Sequence, residues 1–132
     1  MAERITTFLM FEGRLEEAMN FYLSLFPDSR VDRLDRHGPD GTSADGSLQA
    51  DFTLNGLRLK GFDSPVHHEF TFTPSISLFV DCSSEEEIDR LYAALSEGGA
   101  VMMELAAYPF ADKFGWVADR FGVSWQLSLG GK

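Results

Sequence analysis

The sequence predicts an α+β protein made of two tandem βαβββ modules, each a curved mixed sheet with its helix on the convex face. Three observations predict it. The segment EEAMNFY, starting at Glu16, recurs as EEIDRLY, starting at Glu86. The apolar run ITTFLMF stands before the first copy as PSISLFV stands before the second. Several further segments alternate oily and polar residues with the period of two that strands require. A repeat spanning about half the chain is too long for a solenoid and fits two fused half-domains. The expected layout is a single domain over 1–132, with module one over about 4–64, module two over about 74–130 and a linker over about 65–73.

The elements follow in order. The first strand leads into a helix whose Leu15, Ala18, Met19, Tyr22, Leu25 and Phe26 recur at helical spacing until Pro27 stops it. Along SLQADFTL, Leu48, Ala50, Phe52 and Leu54 point one way and Ser47, Gln49, Asp51 and Thr53 the other. Asn55-Gly56 marks a two-residue hairpin into a strand where Leu57 and Leu59 oppose Arg58 and Lys60. In the second module Ile76, Leu78 and Val80 oppose Ser75, Ser77 and Phe79. A helix with the stripe Ile88, Leu91, Tyr92 and Leu95 follows, capped by Ser83-x-x-Glu86 or Ser84-x-x-Glu87 and ended by Gly98-Gly99. The last strand sets Trp125, Leu127 and Leu129 against Ser124, Gln126 and Ser128. Ala50-Asp51 and Ala118-Asp119, separated by nearly the same offset as the helices, read as a further repeated feature. Three connections remain: the polar, glycine-rich His37–Gly46, the inter-module Asp63–Pro74, and an aromatic segment from Met103 to Trp116 that reads as a loop, lid or partner contact.

Each sheet thus has an oily face for its helix and an opposite face, mixed to polar, where a site belongs. Composition narrows what that site serves. The chain of 132 residues is 44% hydrophobic with twelve Phe, and carries a formal charge of −10. Nucleic acid and anionic membrane surfaces both require a basic stripe, which is absent. The single cysteine, Cys82, has no internal disulfide partner, the N-terminus has no apolar leader, and no apolar run approaches the ~20 residues of a membrane helix. A cytoplasmic location is the expectation.

Three stretches carry a family resemblance: FEGRLEEAMNFYLSLFPDS, PSISLFVDCSSEEEIDRLYAALSEGG and FGWVADRFGVSWQLS, of which the D-R-F-G-V-S-W-Q run is the most specific. They resemble the PhnB-like branch of the vicinal-oxygen-chelate superfamily of glyoxalases, bleomycin-resistance proteins and extradiol dioxygenases. That branch also carries the name 3-demethylubiquinone-9 3-methyltransferase domain. The resemblance covers nearly the whole chain and implies a homodimer with a cup for a small molecule. In glyoxalase-like members each module offers a metal ligand on its first and last strands. Counting back from the Phe21-Tyr22 pair, those positions here are Thr7, Ser75, Lys60 (Arg58 in another register) and Gln126. Two hydroxyls, a cation and an amide are a poor set for a divalent ion, so no metal and no cofactor are expected. Methyl transfer is not expected either, since no glycine-rich turn follows a parallel strand.

The candidate cup comprises Thr7, Arg58, Lys60, Ser75, Ser77, Trp116 and Gln126, and its cations suit a carboxylate or phosphonate. Tyr108, Phe110 and Phe114 cluster nearby in sequence. His67 and His68 read as surface residues of the linker, His37 as part of the polar loop, and Cys82 as a structural thiol. Asp119 reads as a turn residue and Trp125 as a core anchor. Two alternatives stand beside metal-free ligand binding. One is a glyoxalase- or dioxygenase-like metalloenzyme; the other is an interaction scaffold whose cup is filled by Phe11, Phe62 and Phe79.

Overall fold

A computed structural model describes residues 2–36 and 48–130. The polar stretch His37–Gly46, including His37, lies outside the described residues. The chain divides into two compact units, Met1–His68 and Glu69–Lys132.

The first unit runs β1 (Thr7–Phe11), α1 (Leu15–Leu25), β2 (Ser29–Arg36), β3 (Leu48–Leu54) and β4 (Leu57–Asp63). Its sheet has the order β1-β4-β3-β2, with β1 and β4 parallel and the other pairs antiparallel. The second unit runs β5 (Ser77–Cys82), α2 (Glu85–Ser96), β6 (Ala100–Tyr108), β7 (Ala111–Ala118) and β8 (Ser124–Leu129). It repeats the same order, β5-β8-β7-β6, with the same single parallel pair. Two βαβββ modules are therefore present.

Alternation decides what each sheet buries. In the first unit Leu9, Phe11, Leu48, Ala50, Phe52, Leu54 and Leu59 form the oily face under Leu15, Ala18, Met19 and Tyr22 of α1. In the second, Trp125, Leu127 and Val117 lie under Ile88, Leu91 and Leu95 of α2. Asn55 and Gly56 both take positive φ, 45° and 91°, as a tight hairpin of this kind demands. The second cap proposal for α2 is the one realised. Ser84 Oγ accepts from Glu87 N at 3.1 Å, and Glu87 Oε1 accepts from Ser83 N at 2.8 Å.

Helix α1 has no cap of its own, because Arg14 occupies the N-cap position and makes no side-chain cap bond. Asp63, at the far end of β4, supplies one instead: its Oδ1 accepts from Gly13 N (3.1 Å) and Leu15 N (2.9 Å). The carboxylate is buried and sits where the helix dipole is positive. Asp63→Ala orphans two backbone donors at a buried helix end and is expected to lower stability by about 2 kcal/mol. Urea denaturation of the variant checks this, and Asp63→Asn, which keeps an acceptor, is expected to lose less.

Three sequence expectations are corrected. First, Met103 to Trp116 is no loop. It forms most of a hairpin between β6 and β7, turning at Pro109-Phe110, with register shifts along β6 that let its nine residues curl. Second, Ala50-Asp51 and Ala118-Asp119 are not equivalent: the first lies mid-strand in β3 and the second at the end of β7 and in the turn after it. Third, Thr7 is on the wrong face. It pairs with Leu59, which pairs in turn with buried Phe52, so Thr7 and likewise Phe11 belong to the oily face of the first unit. The cause is one extra residue. Three residues, including Gly13 at φ 100°, connect β1 to α1, whereas two connect β5 to α2. A count back from the matched helices therefore changes strand parity between the modules.

Candidate functional site

The open face of the first unit presents Arg58 and Lys60 as expected, but both sit within a lattice of opposite charges. Lys60 lies directly across from Asp51 and donates to its Oδ1 at 3.1 Å. Thr53 Oγ1 donates to Asp32 Oδ2 at 2.6 Å, and this bond, helped by Arg30 and Arg58, holds the Asp32 carboxyl below its ordinary range. Arg30 and Arg33 pair with Asp32 and Asp35 at 2.7 and 2.6 Å. The depression between Arg4, Asp32, Asp51, Arg58 and Lys60 has a volume of about 150 Å³. Toward β1 the same face turns apolar, with the rings of Phe8 and Phe62 6.4 Å apart.

Among the described residues the second unit's open face holds a larger hollow than this depression, about 590 Å³. Sheet register builds it in rows. One row runs Phe79, Gln126, Trp116 and Met103 across β5, β8, β7 and β6; the next runs Asp81, Ser128 and Phe114. Phe110, from the hairpin turn, stands edge-on to Phe114 with centroids 4.9 Å apart and stacks on Tyr108 at 5.5 Å. Phe79 is 56% and Phe110 46% exposed, whereas Phe114 is buried as the floor. Four of its lining residues are aromatic and three polar, and its volume falls in the range of small-molecule pockets.

The polar residues below are already bonded to one another. Trp116 Nε1 donates to Ser124 Oγ (2.8 Å), Ser77 and Ser124 share a hydrogen bond of 2.6 Å, and Gln126 Nε2 donates to Ser77 Oγ (3.2 Å). This network fixes the Trp116 ring and the Gln126 amide in the wall. Of the expected cup residues, the structure thus brings Ser77, Trp116 and Gln126 together and places Arg58 and Lys60 on the other unit's sheet. Ser75 joins neither group. It lies in the turn before β5, exposed, and bonds Thr73 Oγ1 at 2.8 Å.

Sequence reasoning passed over Asp81, Met103 and Ser128 as wall residues. Parity carried the signal for two of them: Asp81 is two residues beyond Phe79 and Ser128 two beyond Gln126, each on the face already identified as open. Met103 was hidden by the assumption that its segment is a loop.

The other reactive groups are not among the residues that line the hollow. Burial pushes the Cys82 thiol up to about 11, with the charges of Glu87 and Asp81 adding to the effect, so it is no nucleophile near neutral pH. His67 Nδ1 meets Glu12 Oε1 at 3.0 Å, and His68 Nε2 meets Ser64 Oγ at 2.7 Å; both contacts tie the end of the first unit to the β1–α1 link. Among the described residues no group of three or more His, Cys, Asp or Glu converges as metal ligands. The donors of this hollow, one carboxylate, one amide, one hydroxyl and one thioether, fit a divalent transition ion poorly.

Asp119 explains the D-R-F-G-V-S-W-Q run. Its Oδ1 accepts from Phe121 N (2.9 Å) and Val123 N (3.0 Å), and its Oδ2 from Trp125 Nε1 (2.9 Å), all in a 3% exposed position. The turn residue and the core anchor are one assembly that sets where β8, and hence Gln126, lies.

A family model described as 3-demethylubiquinone-9 3-methyltransferase matches residues 3–128. The chain belongs to this family. A PhnB protein from Bacillus cereus is 52% identical to this member, with 97% of this chain and 100% of that one covered and a TM-score of 0.89. The protein PA1353 from Pseudomonas aeruginosa is 25% identical over 99% of this chain and 100% of its own, with a TM-score of 0.81. A glyoxylase/bleomycin resistance protein/dioxygenase domain from Frankia sp. EAN1pec, 15% identical over 100% of this chain and 95% of its own, shares the fold at a TM-score of 0.68. The family member is thus PhnB-like, with the fold of the vicinal-oxygen-chelate superfamily. No curated protein matches it. Among the described residues no helix is long and apolar enough to cross a membrane.

Proposed function

We propose that the protein binds a small molecule on the open face of its second unit, works as a homodimer and uses no catalytic metal. The observation that carries the reading is the hollow of about 590 Å³ between Phe79, Phe110, Trp116 and Gln126. Two large aromatic side chains stand exposed there over a floor braced by the Ser77–Ser124–Trp116 network. Covering them releases water from apolar surface, which rewards a ligand with a flat or oily body. The donor chemistry supports the metal-free part, because glyoxalase and dioxygenase reactions draw their oxyanion stabilisation or oxygen activation from an ion that needs imidazole or carboxylate ligands. Dimerisation draws support from β2 and β6. Each is bonded on one side only within its own sheet, and β6 exposes Val101 and Met102.

The family's name is not taken as an activity. S-adenosylmethionine is ordinarily held by a glycine-rich turn between strand and helix, and the two such turns here read Glu12-Gly13-Arg14 and Ser83-Ser84. Native mass spectrometry of freshly purified protein tests all three parts of the reading together. The expected species has twice the 14.7 kDa chain mass, carries no metal and sheds a small molecule on activation. A monomer rejects the dimer, and a tightly held zinc, nickel or iron per chain overturns the metal-free assignment.

A further inference from the structure

The charges around the larger hollow are one-sided. Among the described residues no Lys or Arg lines it, and its one charged group is Asp81, exposed at the end of β5. Among the same residues the Asp81 carboxylate makes no hydrogen bond or ion pair, in contrast to those of Asp32, Asp35 and Asp51, which are all paired on the first unit's sheet. Two hydrogen-bond donors of the wall are turned inward, Trp116 Nε1 to Ser124 and Gln126 Nε2 to Ser77. The remaining lining groups are the Asp81 carboxylate, the Ser128 hydroxyl, the Met103 thioether and the rings of Phe79, Phe110, Phe114 and Trp116. Ring faces carry the negative part of the aromatic quadrupole and attract cations, the more so where water is partly excluded.

We infer that the ligand of the second unit is an organic cation, a protonated or quaternary amine on a flat apolar body, with its charge at Asp81 and its body between Phe79, Phe110 and Trp116. This rests on the hollow being a binding site and specifies what fills it. It also reverses the carboxylate or phosphonate reading that Arg58 and Lys60 suggested, because Lys60 is engaged by Asp51 and both cations lie on the first unit's sheet. The row geometry gives the body room: Phe79 and Trp116 flank Gln126 in register, so a ring laid over that amide has an aromatic side chain on either hand.

Three probes that share a benzyl group and differ in charge decide it: benzyltrimethylammonium, benzyl alcohol and benzylphosphonate, titrated at low salt while tryptophan fluorescence is followed. The expected order places the cation first, at least about fivefold tighter than the alcohol, with the phosphonate weakest. Asp81→Asn is expected to weaken the cation about tenfold and the alcohol by much less. If the phosphonate or alcohol binds as tightly as the cation, or Asp81→Asn leaves the cation's affinity intact, the charge assignment falls while the hollow stands. If none of the three binds, the hollow is no site and the inference falls with it.

Discussion

Asp119→Ala lowers the unfolding free energy by about 3–4 kcal/mol, the sum of three lost hydrogen bonds whose donors stay buried. Phe121 N, Val123 N and Trp125 Nε1 all end on one 3% exposed carboxylate. Removing it leaves a cavity as well as orphaned donors, and water has little access to repair either. Asp119→Asn is nearly as damaging, because whichever way the amide is turned an NH2 group meets at least one N–H donor where an oxygen stood. Denaturant melts of the two variants check this, with a drop in melting temperature of about 10 °C or more for alanine. A loss below about 1 kcal/mol would mean the carboxylate is not held for stability, and the function of this run would have to be sought elsewhere.

Gly99→Ala is expected to cost about 2–3 kcal/mol, more than Gly98→Ala beside it. A methyl group at Gly99 would overlap the Ala118 carbonyl oxygen and stand 2.9 Å from the Asp119 carbonyl carbon. Both are backbone atoms that cannot rotate away, so the start of β6 must separate from the end of β7, where Ala100 pairs with Ala118. Gly98 differs. It has φ 75° and only the Arg120 side chain nearby, at 3.3 Å, so its alanine carries the ordinary left-handed strain of about 1–2 kcal/mol. Paired urea melts of the two variants give the ranking, and an equal or inverted order would contradict the close approach.

These two sites show what the sequence discloses and what it conceals. Gly98-Gly99 was legible as a helix stop, since glycine ends helices for a local reason. That the second glycine is also a spacer against the far end of β7 is a tertiary fact with no local mark. The module repeat was legible because the stripe of Leu15, Ala18, Met19 and Tyr22 and that of Ile88, Leu91 and Leu95 have one period and similar flanks. The face assignment of β3, β5 and β8 was legible for the same reason, and it placed Ser77 and Gln126 on one open face. Thr7 was misplaced because parity does not survive a one-residue change in the link before α1, and a resemblance between helices is blind to that change. Ser75 does not share that face because β5 begins at Ser77. The Asp63 cap was hidden for a further reason: donors and acceptor are 48 and 50 residues apart, and helix caps are sought next to the helix.

The charges of the open faces were hard to read from sequence for a related reason. Arg58 and Lys60 stand out in an acidic sequence, but Asp51 faces Lys60 only once β3 and β4 are aligned. Asp81 looked unremarkable among 21 acidic residues, although it lies two places beyond Phe79 on the open face.

The most direct measurement is the response of the two tryptophan indole N–H signals in a nitrogen-15 correlation spectrum as benzyltrimethylammonium, benzyl alcohol and benzylphosphonate are added in turn. Trp116 lies in the wall of the hollow, while Trp125 is sealed beneath α2 and bonded to Asp119. Ligand binding on the open face of the second unit requires the Trp116 signal to move with at least one probe while that of Trp125 holds still. A Trp116 signal indifferent to all three, or a shift confined to Trp125, would contradict the account.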